Sequence, residues 1–204
     1  HGCLVPRSDY WPAGGLTDGR DVKSLTAHID ILPTLVDLLR IEKPKGRPLD
    51  GISLRAALEG RQESLSERTL FVHVQRAFLP PKWKESAAMT QRWRLMDGEE
   101  LYDIIADPGQ RTNVAAEHRD VVRRLREDYE NWWASIEPAK QQTVRYVLGG
   151  AENPMILSSH DWLMSGVEQT AWHQNQIKHG AMINGAWAVD VKQAGTYEIT
   201  LYRW

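Results

Sequence analysis

The sequence predicts a chain of mixed α+β class, and three patterns carry that expectation. Residues 31 to 39 place Ile31, Leu32, Leu35, Val36, Leu38 and Leu39 around most of a helix circumference. Residues 93 to 104 have the apolar alternation of a hairpin around Asp97-Gly98, and an amphipathic helix follows them to residue 136. From Thr143 onward no helical period is sustained, and short alternating runs predict a small all-β module.

Near the N-terminus, polar Arg7 to Tyr10 separates Val5-Pro6 from Trp11-Pro12-Ala13-Gly14, which makes a poor strand. Asp30 precedes the first helix, where a carboxylate can accept the free amides of the first turn. Pro33 is tolerated there because its missing N–H would be unpaired anyway. A helix so evenly apolar requires cover, as when it lies on a sheet. Lys43 to Pro48 is a loop by its Pro and Gly content, and Ser53 is placed to cap a short helix from Leu54 to Glu59, stopped by Gly60.

Leu70 to Gln75 alternates as a strand, with Leu70, Val72 and Val74 on one face and Phe71, His73 and Gln75 on the other. From Arg76 to Gln91 that pattern breaks into a long excursion between two strands, a kind of loop that often carries function. Trp93 and Leu95, then Leu101 and Ile104, form the hairpin strands, and Asp97-Gly98 accepts the positive φ of its turn. Asp107-Pro108-Gly109 ends it, since proline cannot donate to the ladder. Val122, Leu125, Tyr129, Trp132 and Ile136 then make the stripe of a helix lying on this sheet, closed by Glu137-Pro138, with core packing the reading for Trp132-Trp133. In the last segment Trp187, Val189 and Val191 alternate, as do Tyr197, Ile199 and Leu201, on either side of Gln193-Ala194-Gly195. That pattern predicts a hairpin, joined by strands at 143–148 and 155–158.

Length allows one large domain or two small ones with a core of their own. Over 204 residues, 25 Lys and Arg against 27 Asp and Glu leave a formal net charge of -2. Such a balance gives no footprint for nucleic acid or an anionic membrane. The single cysteine, Cys3, excludes an internal disulfide, and no apolar run approaches the ~20 residues of a membrane span. With no initiator Met and no signal peptide before His1, the chain reads as beginning inside a domain.

No Gly-rich phosphate loop, paired-cysteine zinc pattern or Gly-x-Ser-x-Gly elbow occurs. His28 and Asp30 suggest a metal pair, but two ligands make no site, and a cap beside a packed histidine accounts for both. His160, His173 and His179 gather with Asp161 at spacings that fit no helix face and no ligand pattern, which favours surface histidines.

Three segments in order carry a family resemblance. Trp93-Arg-Leu-Met96, Glu100-Leu-Tyr-Asp103, Asp107-Pro-Gly109 and Asn113-Val-Ala115 together resemble the C-terminal signature of the sulfatases, with Gln110 in place of Glu and Val114 in place of Leu. Upstream, Thr26-Ala-His-Ile-Asp-Ile-Leu-Pro-Thr34 resembles that family's Ser/Thr-x-His-x-Asp-x-x-Pro-Thr helix entry. Leu49-Asp-Gly-Ile-Ser-Leu54 resembles its Leu-Asp-Gly-x-Ser/Asp-Leu turn. The likeness runs over roughly residues 20 to 136. Cys3 invites comparison with the nucleophile motif Cys/Ser-x-Pro-x-Arg, but Pro6 falls one place too late, so an incidental thiol is expected.

The resemblance implies the end of an alkaline-phosphatase-like α/β domain over 1–62, a sulfatase C-terminal subdomain with an antiparallel sheet and a long helix over 63–140, and a truncated β module over 141–204. It implies a parent enzyme, periplasmic or secreted, that hydrolyses sulfate esters of a carbohydrate or an aryl group. There calcium polarises the sulfate and hydrated formylglycine attacks. Both lie outside this chain, which holds neither nucleophile nor metal ligands and is expected to be silent alone. His73, Arg76, Lys82 and Trp83 combine cations with an aromatic face, which suits an anionic sugar, and form the expected substrate contact. The apolar helix 31–39 is expected to drive self-association. Two other readings stand: a carbohydrate-binding β module using Trp162, Trp172 and Trp187, and a fragment of a related phosphatase or phosphonate hydrolase.

Overall fold

The computed structural model describes residues 11–17, 21–43, 45–46, 48–61, 65–74, 80–140, 142–163, 174–180 and 182–202. They divide into two compact units, His1–His73 with Glu85–Glu130, and Val74–Lys84 with Asn131–Trp204.

The first unit is built on a four-stranded antiparallel sheet, β1 (Leu70–His73), β2 (Ser86–Met89), β3 (Trp93–Met96) and β4 (Glu100–Asp103), in the order of the chain. Its β3–β4 turn is the one expected, with Asp97 at φ 50° and Gly98 at φ 74°. The second strand was not expected, because Ser-Ala-Ala-Met lies inside the stretch read as a loop. Small residues have little strand propensity, and what makes this a strand is its place between β1 and β3, where Ala88 is wholly inaccessible.

Phe71, Ala88, Leu95 and Leu101 stand opposite one another across the four strands and form one row. Helix α3 (Arg119–Lys140) lies over this row, with Leu125 and Tyr129 fully buried and the Tyr129 ring meeting Phe71 edge-on at 6.1 Å. Burial of these side chains, at ~1.5 to 3 kcal/mol each, is the main favourable term holding helix to sheet. The line buried on the sheet is Val121, Leu125 and Tyr129 rather than one through Val122; farther along, in the second unit, Trp133 is buried and Trp132 half-buried. A helix crossing a sheet on an i, i+4 ridge buries every fourth residue, so the line slants across the stripe. The helix also runs two residues past Pro138. Proline removes one hydrogen bond but keeps a helical φ, and Lys140 steadies the last turn through Glu137 at 2.9 Å and the Trp133 ring at 3.7 Å.

Helix α1 (Ile31–Leu39) forms as expected and ends at Arg40 in the left-handed region. Within its unit it is not covered as its pattern requires: Ile31, Leu32, Leu35 and Leu39 are 40 to 51% exposed, and Thr34 is the residue it buries. The short helix α2 (Arg55–Leu58) follows, with the Arg55 amide donating to Ser53 Oγ at 3.2 Å.

The second unit departs most from expectation. Its strands β5 (Tyr146–Leu148) and β6 (Val189–Val191) pair in parallel, and helix α4 (Gln174–Lys178) lies between them in the chain, so the segment is not all-β. No hairpin forms across Gln193–Gly195. The Tyr197 hydroxyl turns back to donate to the Gln193 carbonyl and stands against Gly149, while Ile199 and Leu201 are 81 and 82% exposed. Alternation alone cannot make a strand without a ladder partner, and β6 takes its partner from β5. Residues 155–158 are likewise irregular.

Candidate functional site

The motif residues are held in the first unit by one polar node. Asp30 has no accessible surface, and its carboxylate does not cap α1 as its position suggests. Oδ1 accepts the Ile52 amide at 3.0 Å and Arg68 Nη1 at 2.8 Å, and Oδ2 accepts the Ala27 amide at 2.8 Å and Arg68 Nη2. Arg68 Nη2 also donates to the Leu25 carbonyl at 3.1 Å. Burial by itself would raise the Asp30 pKa, but the bonds from Arg68 and from the Ile52 and Ala27 amides outweigh it and hold the carboxyl below its ordinary value.

Thr34 extends the node. Its hydroxyl donates to the Asp30 carbonyl at 2.5 Å and accepts the Leu54 amide at 3.0 Å. Gly51 completes the joint, because a Cβ there would stand 2.0 Å from the Ile29 carbonyl oxygen. Only glycine permits that approach. Asp30, Thr34, Gly51 and Leu54 of the two upstream motifs thus form a single fastening.

The downstream motif has the same character. Asp103 Oδ1 accepts the Ile105 and Ala106 amides at 3.1 Å, and Oδ2 takes Arg92 Nε and Nη2 at 2.9 and 2.8 Å. Asp107 Oδ2 accepts the Arg111 and Thr112 amides. Asn113 Oδ1 accepts the amides of Leu101 and Ala115 at 3.1 and 3.0 Å, joining β4 to the approach of α3. These carboxylates and amides close loops on backbone N–H groups, and their lone pairs are spent on structure.

Two contributors were not recognised from sequence. Arg68 lies 38 residues from Asp30. Gln91 accepts the Leu25 amide at 2.5 Å and donates to the Lys23 carbonyl at 2.6 Å, 66 and 68 residues away. Neither stands in a local motif, and long-range pairing leaves no spacing to read.

The expected substrate contacts are not gathered in one unit. His73 ends β1 in the first unit, on the face shared by Phe71 and opposite Ser86. Lys82, exposed, and Trp83, half-buried, belong to the second unit, and Arg76 lies outside the described residues, as does Cys3. In the second unit Trp162 and Trp187 pack edge to face at 5.7 Å, and Trp187 Nε1 donates to the Ser158 carbonyl at 2.8 Å. Tyr146 donates to Asp161 at 2.6 Å, which raises the phenol pKa and lowers that of the carboxyl. Trp172 and His173 lie outside the described residues. Among the described residues no group of three or more His, Cys, Asp or Glu is placed to hold a metal ion. No helix among them is long and apolar enough to cross a membrane.

No protein-family model matches the chain. It is 31% identical over 137 residues to the Δ4,5-hexuronate-2-O-sulfatase of Bacteroides thetaiotaomicron, covering 54% of this chain and 26% of that protein. To the N-acetylgalactosamine-6-O-sulfatase of the same organism it is 28% identical over 144 residues, 64% of this chain and 27% of that one. To human arylsulfatase D it is 32% identical over 84 residues, 41% of this chain and 14% of the relative. The solved structure of a 2-O GAG sulfatase aligns with a TM-score of 0.40 at 26% identity, over 55% of this chain and 25% of the other. The relatives that these sequence matches name are all sulfatases. Over the matched stretch this chain is sulfatase-like, and it spans about a quarter of the length of the two bacterial relatives. These partial matches are consistent with the likeness to a sulfatase C-terminal part carried by the motif residues.

Proposed function

We propose that the chain is the C-terminal part of a sulfatase acting on a sulfated carbohydrate. The observation that carries this reading is the identity over 137 and 144 residues to two enzymes named for 2-O-sulfated hexuronate and 6-O-sulfated N-acetylgalactosamine. The Asp30, Thr34 and Gly51 joint supports it, because residues of two separate motifs serve one mechanical purpose.

On this reading residues 1–62 end an alkaline-phosphatase-like catalytic domain, 63–140 form the C-terminal subdomain, and 141–204 belong to a further module. The chain contributes one wall of the cleft and takes part in substrate selection. Formylglycine and calcium reside elsewhere in the parent, which is periplasmic or secreted. The node around Asp30 keeps the wall in register with the sheet.

The complete reading frame tests this. A Cys/Ser-x-Pro-x-Arg motif upstream of His1 and sulfate release from sulfated glycosaminoglycan disaccharides by the full-length protein are the expected results. The 204-residue chain alone should not turn over an aryl sulfate, with or without calcium. An upstream sequence without that motif, or turnover by the chain alone that Cys3→Ala abolishes, would overturn the reading.

A further inference from the structure

We infer that Asn184-Gly185 is a site of spontaneous covalent modification, where the asparagine cyclises onto the following backbone amide and reopens as aspartate and isoaspartate. The dipeptide lies in the second unit, and its chemistry is independent of the sulfatase reading.

Asn184 is the one asparagine of the chain that glycine follows. Asn113 precedes Val114, and its Oδ1 is held by the Leu101 and Ala115 amides. Asn153 precedes Pro154, which has no N–H to attack. Asn131 and Asn175 lie in α3 and α4, with backbone angles fixed by the helix and a bulky side chain on the next residue. Asn184 is exposed, in a run outside helix and strand. Among the described residues neither its carboxamide nor the Gly185 amide takes part in a hydrogen bond. With no Cβ on Gly185, nothing hinders the approach of its nitrogen to the neighbouring side chain.

Packing requires that glycine. A Cβ on Gly185 would stand 2.5 Å from Trp162 Cβ and 2.7 Å from its Cγ, so a larger residue does not fit beneath that side chain. Gly185 also leads directly into the bridge between Leu163 and Ala186, whose amides donate to each other's carbonyls at 2.8 and 3.2 Å. Beyond it Trp187 meets Trp162 edge to face. The contact that demands glycine therefore keeps the reactive dipeptide in place.

In the reaction the Gly185 nitrogen gives up its proton, bonds to Asn184 Cγ, and the Cγ–NH2 bond breaks to release ammonia. Water then opens the imide ring. Cleavage between the nitrogen and Cγ leaves aspartate on an unaltered backbone, whereas cleavage at the backbone carbonyl leaves isoaspartate, with Cβ inserted in the main chain. Water is the sole co-reactant and nothing is oxidised or reduced. The extra carbon lies one residue before Gly185, so isoaspartate shifts Gly185 from beneath Trp162 and breaks the Leu163 to Ala186 register.

The test ages the full-length protein in mildly alkaline buffer and maps its peptides by mass spectrometry. The peptide holding Asn184 should gain one negative charge by exchange of NH2 for OH, and part of it should accept label from an isoaspartyl methyltransferase. Acidic buffer should slow the conversion, because the deprotonated amide is the nucleophile, and Asn184→Gln should abolish it on the same time scale, because its ring is larger. Hydrogen exchange at the Leu163 and Ala186 amides should lose protection in the aged protein and keep it in Asn184→Asp, which carries the charge without the added carbon. An intact Asn184 when other asparagines have converted, or conversion only after unfolding in urea, overturns the proposal. Unaltered protection of Leu163 and Ala186 in the isoaspartate form overturns its effect on the bridge.

Discussion

Arg68 donates both terminal guanidinium nitrogens to the two carboxylate oxygens of Asp30, a residue with no exposed surface. The pair ties the chain leading into β1 to the start of α1 and, through the Ile52 amide, to the 49–54 turn. A buried charge pair is weak evidence of net stability, but removing one member leaves the other charged, buried and unsatisfied. Arg68→Ala should therefore destabilise the first unit by about 3 to 5 kcal/mol. Urea unfolding of the full-length protein measures this. A loss below ~1 kcal/mol, the range of an exposed ion pair, would mean that water replaces the guanidinium.

The pH dependence has a definite sign. The folded Asp30 pKa is lowered, so its contribution is fully present above the ordinary carboxylate value and is lost as the pH falls through the lowered one. Asp30→Asn should be less stable than wild type at neutral pH, and the difference should narrow on the acid side of the carboxylate range. Stability curves that stay parallel down to the acid limit would remove Asp30 from this role.

Gly51→Ala tests the same joint by sterics. The added methyl meets the Ile29 carbonyl oxygen at 2.0 Å, a backbone atom that moves only if the turn separates from the segment leading into α1. A cost of about 1 to 3 kcal/mol is expected, as for overpacking in a close-packed interior. Gly15→Ala is a control: nothing lies within 4 Å of its Cβ, although its φ of 82° carries its own strain. Equal melting temperatures for Gly51→Ala and wild type would show that the close approach is not required.

Helix α1 should make the 204-residue chain associate. Its exposed Ile31, Leu32, Leu35 and Leu39 sit on a nine-residue helix, and apolar patches of this kind drive association. Leu32→Lys with Leu35→Glu should shift the chain toward monomer in light scattering at high protein concentration. A wild-type chain that is monomeric under the same conditions would show the face to be tolerated in water.

The core gives the simplest prediction. Leu125 and Leu101 are both fully buried between α3 and the sheet, so Leu125→Ala should cost about 2 to 5 kcal/mol. Urea denaturation reads this directly, and a loss under ~1 kcal/mol would show that α3 collapses onto the smaller side chain.

By itself the sequence determined the features that depend on a few neighbouring residues. The left-handed Asp97-Gly98 turn, the helical run of α1 and the amphipathic character of α3 follow from local φ, ψ preference and apolar spacing, which act within one or two turns. The family motifs were legible for the same reason, each being a short run with fixed spacing. Tertiary structure decided whatever depended on a distant partner. Ser86–Met89 is a strand because β1 and β3 flank it, and Asp30 turns from a cap into a buried anchor because Arg68, 38 residues on, reaches both its oxygens. Tyr197 to Leu201 alternates as a strand yet stays irregular, since no strand among the described residues pairs with it. A backbone amide or a buried carboxylate must find a partner, but no local pattern says which one, because that choice is made by packing across the whole unit.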